Sequence, residues 1–186
     1  TSWITNFRIR RSLILDAYGT NGHSQGIYAE MIDGFTVEDC IIDHNGWHDT
    51  LTGAEATMFN HNFYLSRGVR NVNIRRNIIT RASSHGVSLN QSGTVEDNLI
   101  VRNAIGIFLR TAPATARGNV ILESRDIAAD VPRGFGIIIG SVYDHTPVLP
   151  PGPALVENNI IANKTSVGTD QAITFSSNMA PNNTST

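Results

Sequence analysis

His85 to Arg110 reads HGVSLNQSGTVEDNLIVRNAIGIFLR and holds one complete period of a repeat. It opens on Gly-apolar-any-apolar (Gly86 to Leu89), passes a polar turn, continues as apolar-any-any-Asn-apolar-apolar (Val95 to Ile100), and returns to Gly-apolar-any-apolar at Gly106 to Leu109. The Asn-centred half recurs as IRRSLIL from Ile9, VEDCIID from Val37, IRRNIIT from Ile74, ARGNVIL from Ala116 and VENNIIA from Val156. Ser12, Cys40, Asn77, Asn98, Asn119 and Asn159 therefore share one column. The other half recurs as GIYAE from Gly26, NFYLS from Asn62, GIIIG from Gly136 and AITFS from Ala172. Asn77 to Asn98 and Asn98 to Asn119 are each 21 residues. Short strand-like units with such a period predict an all-β solenoid of about six stacked coils.

Alternation within each unit assigns directions. Val87 and Leu89 point inward, Ser88 and Asn90 outward. Successive coils stack at roughly 4.8 Å, the spacing of hydrogen-bonded strands. The glycines stand where the chain bends into a strand, and the asparagines are expected to take the left-handed conformation of a tight corner and to hydrogen-bond along their column.

With both columns in place, the sequence resembles the right-handed parallel β-helix proteins, the pectate-lyase-like superfamily of polysaccharide lyases, hydrolases, epimerases and phage tailspikes. The resemblance runs from about Phe7 to Ser176. It implies one parallel β-helix domain over residues 1–176, with 177–186 as a polar tail. It also implies that the Gly-type strand lines a substrate groove whose walls are the loops on either side. A secreted or periplasmic location and a polysaccharide or glycan partner follow from the same resemblance.

Composition narrows the classes. Charged residues make up 16% and the net charge is −2, which supplies no basic field for nucleic acid. No apolar run is long enough to span a membrane. The single cysteine, Cys40, sits in the Asn column and reads as a small packed residue. Terminal solenoid coils ordinarily carry polar caps, and the sequence opens and closes almost inside a coil, so the parent chain is expected to continue the solenoid.

Two coils are expanded. HNGWHDTLTGAEATMFNH (His44 to His61) precedes the second Gly-type strand, and 124–133 and 141–153 flank the fifth. Long loops on a rigid scaffold concentrate function. Stacking places Tyr28, Tyr64, Ser88, Phe108 and Ile138 in one outward column and Glu30, Ser66, Asn90 and Arg110 in the next. His61 and His85 precede their strands at equivalent places on adjacent coils. Strict alternation from Phe63 turns His61 inward, whereas a corner at Asn62 turns it outward. As neighbours, the two imidazoles can split their pKa values into one neutral and one charged.

β-Elimination on a uronate needs a carboxylate neutraliser, a base for the C5 proton and an acid for the leaving oxygen. His61 or His85 fits the base and Tyr64 the acid. Arg67 or Arg110, with Asn90, fits the carboxylate holder. Tyr28, Glu30, Trp47 and His48 are further substrate-binding candidates, Trp47 either as a sugar platform or as a plug packing the insert. No cofactor is expected. A divalent cation would draw on His44, His48 and Asp49, with His61. Hydrolysis would pair Glu30 with a loop acid among Asp49, Glu55, Asp126, Asp130 and Asp144. A glycan-binding solenoid without catalysis uses the same groove. The clustered acidic signatures of pectate lyases and polygalacturonases are not evident, and neither is the Tyr-Gly-Phe-Asp-Pro-His type of motif found in mannuronan epimerases.

Overall fold

The structure is a computed structural model and describes residues 3–66, 68–110, 113–125, 127, 133–140, 153–162 and 170–176. Each period forms three strands. The first coil is β1 (Ile4–Arg10), β2 (Leu13–Leu15) and β3 (Gln25–Ala29); the second is β4 (Ile32–Glu38), β5 (Ile41–Asp43) and β6 (His61–Leu65). The third is β7 (Arg70–Arg75), β8 (Ile78–Thr80) and β9 (His85–Leu89), and the fourth is β10 (Gly93–Glu96), β11 (Leu99–Val101) and β12 (Ile105–Leu109). β13 (Ala114–Arg117), β14 (Val120–Leu122) and β15 (Gly134–Gly140) make the fifth, and β16 (Ala154–Glu157), β17 (Ile160–Ala162) and β18 (Asp170–Ser176) the sixth. Equivalent strands pair in parallel, giving three six-stranded sheets. The register follows the repeat, with Val95 opposite Ile74 on one side and Ala116 on the other.

The three sheets enclose one apolar column per inward position. Val37, Ile74, Val95 and Ala116 come from the first sheet, Ile42, Ile79, Ile100 and Ile121 from the second, and Phe63, Val87 and Ile107 from the third. A side chain such as these contributes roughly 1.5–3 kcal/mol on full burial.

The Asn-centred half, a single unit in the sequence, is two strands broken at the asparagine. Left-handed backbone falls on the residue before the column, at Arg11, Asp39, Arg76, Asp97, Gly118 and Asn158, with φ between 49° and 64°. This corrects the assignment of that conformation to the asparagines. The preceding residue makes the turn, which leaves the amide side chain pointing inward. There Asn98 Oδ1 accepts from the backbone N–H (2.9 Å) and Nδ2 (3.0 Å) of Asn77, while Asn98 Nδ2 donates to Ile74 O and Asn119 Oδ1. Asn119 and Asn159 repeat the pattern. Cys40 ends it, donating its backbone N–H to Asn77 Oδ1 and packing its sulfur on Glu38 O.

A second asparagine ladder stands at the corner between the second and third sheets. Asn45 Nδ2 donates to Asn62 Oδ1 (2.9 Å), Asn62 Nδ2 to Thr80 O and Asn103 Oδ1, and Asn103 Nδ2 to Ile79 O. Asn62 occupies a column otherwise filled by glycine, and close approach explains the glycines. A Cβ on Gly106 would lie 2.6 Å from Gly136 O and 2.7 Å from Ile121 Cγ2.

Outer corners carry charge. His44 Nδ1 meets Asp16 Oδ1 at 2.7 Å, Arg81 pairs with Asp43, and Arg102 with Glu123. Glu38, nearly fully buried, is met by Arg10, Arg75 and Arg76, which hold its carboxyl below the usual range.

Candidate functional site

Alternation on the third sheet sends Ile27, Phe63, Val87 and Ile107 inward and raises a second set outward. Tyr28, Tyr64, Ser88, Phe108 and Ile138 are Cα partners in one row, as the column required. His61 is opposite Gln25, and His85 is opposite Ile105, which places both imidazoles in one outward row beside it. The corner at Asn62 breaks the strict alternation, so neither histidine enters the core.

The rings form a continuous stack along the solenoid. Tyr28 lies on Tyr64 with centroids 5.9 Å apart, Tyr64 on His61 at 5.1 Å, His61 beside His85 at 4.6 Å, and His85 on Phe108 at 5.3 Å. Tyr28 is 54% exposed, while both imidazoles and Phe108 are buried. Ile105, Phe108, Phe135 and Ile138 make a small apolar cluster of their own outside the main core.

Above this stack is a cavity of about 170 Å³ lined by Met58, Phe59, His61, Tyr64, His85, Ser88, Asn90, Phe108, Arg110 and Arg133. It is smaller than the roughly 300–1,000 Å³ of a typical small-molecule site, so it suits one ring or head group at a time. The insert supplies one wall. Thr57 exchanges hydrogen bonds with Ser83, and Phe59 stacks on His23 with centroids 4.4 Å apart while Gln25 Nε2 donates to Phe59 O. Arg133, 1% exposed, donates Nη1 to Ser84 Oγ at 2.7 Å.

His61 and His85 are in direct contact, with Nδ1 to Nδ1 2.8 Å apart. Burial, reinforced by the charge of Arg133 and by His23, lowers His61 to about 3. Burial, His61 and Arg133 hold His85 well below the ordinary range. Both are therefore neutral at neutral pH, which corrects the expectation of one neutral and one charged ring. The tight contact and the guanidinium disfavour an imidazolium on either residue.

His61, His85, Tyr64 and Arg110 converge on the cavity with Asn90, and the geometry adds Phe59, Ser88 and Arg133. Tyr28 lies one coil away, its hydroxyl donating to Glu30 Oε2 at 2.7 Å. Arg67, Asp126, Asp130 and Asp144 lie outside the described residues. Trp47 and His48 are elsewhere. Trp47 packs edge-on to His44 and donates Nε1 to Arg81 O at 2.8 Å, tying the start of the insert to the third coil. His48 Nδ1 accepts from the backbone N–H groups of Thr50 and Leu51, and its ring packs on Tyr18.

Of the candidate metal ligands, His44 meets Asp16 through Nδ1 at 2.7 Å and Asp49 through Nε2 at 3.4 Å, while His61 belongs to the cavity; among the described residues no group of three or more His, Cys, Asp or Glu is arranged to hold an ion. Phe59 and Arg133 were missed in the sequence because each sits at the end of a loop with no period of its own. Their place, within two residues before a Gly-type strand, is the one signal that marks them.

A model of the family described as "Right handed beta helix region" matches residues 2–121, more than half of the chain. The chain belongs to this family. No curated protein and no solved structure matches it. Membership fixes the β-helix fold, while the chemistry rests on the cavity.

The buried imidazoles make β-helix stability pH-dependent. In the unfolded chain each takes up a proton near pH 6.5, whereas native His61 does so only near 3. Between these values the unfolded state binds more protons, so stability falls as pH falls, by about 1.4 kcal/mol per unit for each histidine. The paired carboxyls of Glu38, Asp39 and Asp43, held low by their arginines, begin to count only at lower pH. A falling Tm between pH 6.5 and 5, with a shallower slope in His61→Phe, is expected; a Tm flat over that window in the native chain would contradict neutral burial.

Proposed function

We propose that the cavity binds the uronate unit of an acidic polysaccharide and cleaves the chain by β-elimination, as a polysaccharide lyase acting in a secreted or periplasmic setting. The observation that carries this reading is the lining itself: two arginines, two neutral imidazoles, a tyrosine and an asparagine, with no carboxylate among the described lining residues. Such a lining is complementary to an anion. It does not supply the paired carboxylates, roughly 5–9.5 Å apart, that glycoside hydrolysis uses. Glu30, directly after β3, is engaged by Tyr28 and lies outside the cavity.

In this mechanism Arg110 and Arg133, with Asn90, hold the substrate carboxylate and stabilise the charge that spreads onto it as the C5–H bond breaks. A neutral imidazole takes the C5 proton. The C5–H electron pair forms the C4=C5 double bond, the C4–O bond breaks, and the Tyr64 hydroxyl gives its proton to the departing glycosidic oxygen. The bound carboxylate offsets the guanidinium charge that depresses the imidazoles, so the base gains proton affinity as the substrate arrives. Phe59, 44% exposed at the rim, offers a ring face to a pyranose.

The test is incubation of the protein with a panel of uronate-containing polysaccharides, following the ultraviolet absorbance of the unsaturated product. Product from one or more of these polymers, with or without chelator, is expected. No product, with retained glycan binding, would replace the lyase with a glycan-binding solenoid.

A further inference from the structure

Two imidazoles joined by one hydrogen bond can divide their protons in several ways, and the contacts around His61 and His85 leave one. The backbone N–H of His85 points at His61 Nδ1, 3.3 Å away. A proton on His61 Nδ1 would face that N–H, so His61 Nδ1 carries a lone pair. His85 Nδ1 is 2.8 Å from the same atom and 2.9 Å from Ser84 Oγ. Were the serine hydroxyl to donate to His85 Nδ1, two lone pairs would oppose each other across 2.8 Å. With donation excluded by that clash, Ser84 Oγ accepts from His85 Nδ1, as it also accepts from Arg133 Nη1. The arrangement without a clash puts the proton on His85 Nδ1, shared between His61 and Ser84.

We infer that His61 is a positioning residue, which accepts the Nδ1 proton of His85 and fixes this cavity-lining ring in the tautomer with a bare lone pair on Nε2. His85 Nε2 is buried and, among the described residues, has no hydrogen-bond partner. A buried acceptor without a protein partner calls for a donor. The ligand therefore brings a hydroxyl, or an acidic C–H, within reach of Nε2 while its anionic group meets the arginines. A hydroxy acid such as a uronate combines the two. This inference deepens the uronate reading and assigns the base to His85 and not to His61.

The test is nitrogen NMR of the full chain labelled with ¹⁵N-histidine, which reports the protonated nitrogen from the pattern of couplings to the ring carbon protons; His85→Gln identifies the His85 signals. The Nδ1–H pattern for His85 and the Nε2–H pattern for His61 are expected. His61→Phe keeps a ring on Tyr64 but removes the acceptor, and the Nδ1–H pattern of His85 is expected to be lost; His61→Asn, with an acceptor oxygen near the former Nδ1, is expected to restore it. An Nε2–H pattern for His85 in the native chain overturns the inference, whatever the variants do. The outcome is independent of catalysis: the inferred tautomer without elimination would sink the lyase alone, and elimination with His85 protonated at Nε2 would sink the positioning role alone.

Discussion

Replacing Asn98 with leucine lowers the stability of the fold by about 3–5 kcal/mol, the cost of leaving two buried polar groups unpaired. The side chain of Asn98 is the partner of the Asn77 backbone N–H at 2.9 Å and of Ile74 O at 2.9 Å, and it links the amides of Asn77 and Asn119. Leucine has similar volume but no polar atom, and the column is closed to water, Asn98 being 1% exposed. The loss therefore includes the desolvation of groups that nothing else reaches. Urea unfolding of the variant beside the native chain reads it as a lower midpoint with an unchanged slope. A loss under about 1 kcal/mol would mean that the ladder contributes no more than an ordinary exposed hydrogen bond.

The second large effect is catalytic. His85→Gln is expected to lower the rate of product formation by roughly 10²–10⁴-fold, the range for removing a general base. Glutamine preserves a polar side chain beside His61 and Phe108 but cannot take a proton from carbon. Tyr64→Phe removes the hydroxyl proposed to protonate the leaving oxygen while keeping the stack between Tyr28 and His61. Steady-state kinetics on the polymer that gives product, with circular dichroism to establish that each variant is folded, decides the matter. A His85→Gln variant that turns over at the native rate would remove the base from this cavity.

The solenoid was legible because its forces repeat. Each coil must bury the same inward positions and satisfy the same corner amide, so the Asn column and the Gly-type strands return at the same offset and identify each other. The outward row of Tyr28, Tyr64, Ser88 and Phe108 followed from that period alone. What the period does not govern was read less well. The direction of His61 depended on the corner at Asn62, where one residue's break in alternation decides between core and groove. The second asparagine ladder was overlooked because Asn45 and Asn103 alternate in their column with Ala82 and Ser124, so no single residue type marks it. Trp47 and His48 looked chemical in sequence, yet the insert folds so that Trp47 is tied to Arg81 and Phe59 reaches the cavity. Such a choice depends on loop packing, for which a linear pattern holds no record.

The cavity draws on four consecutive coils, from Met58 and Tyr64 on the second to Arg133 on the fifth. No coil holds more than a fraction of the lining groups, and each coil offers its share displaced by one strand spacing, roughly 4.8 Å, from the last. The surface is thus a ruler with evenly spaced marks: a polymer lying along the axis that advances by a comparable length per sugar meets equivalent backbone at every unit and a different side chain at each. Recognition can then be edited one unit at a time, by exchanging a single outward residue on a single coil, without disturbing the sheets beneath.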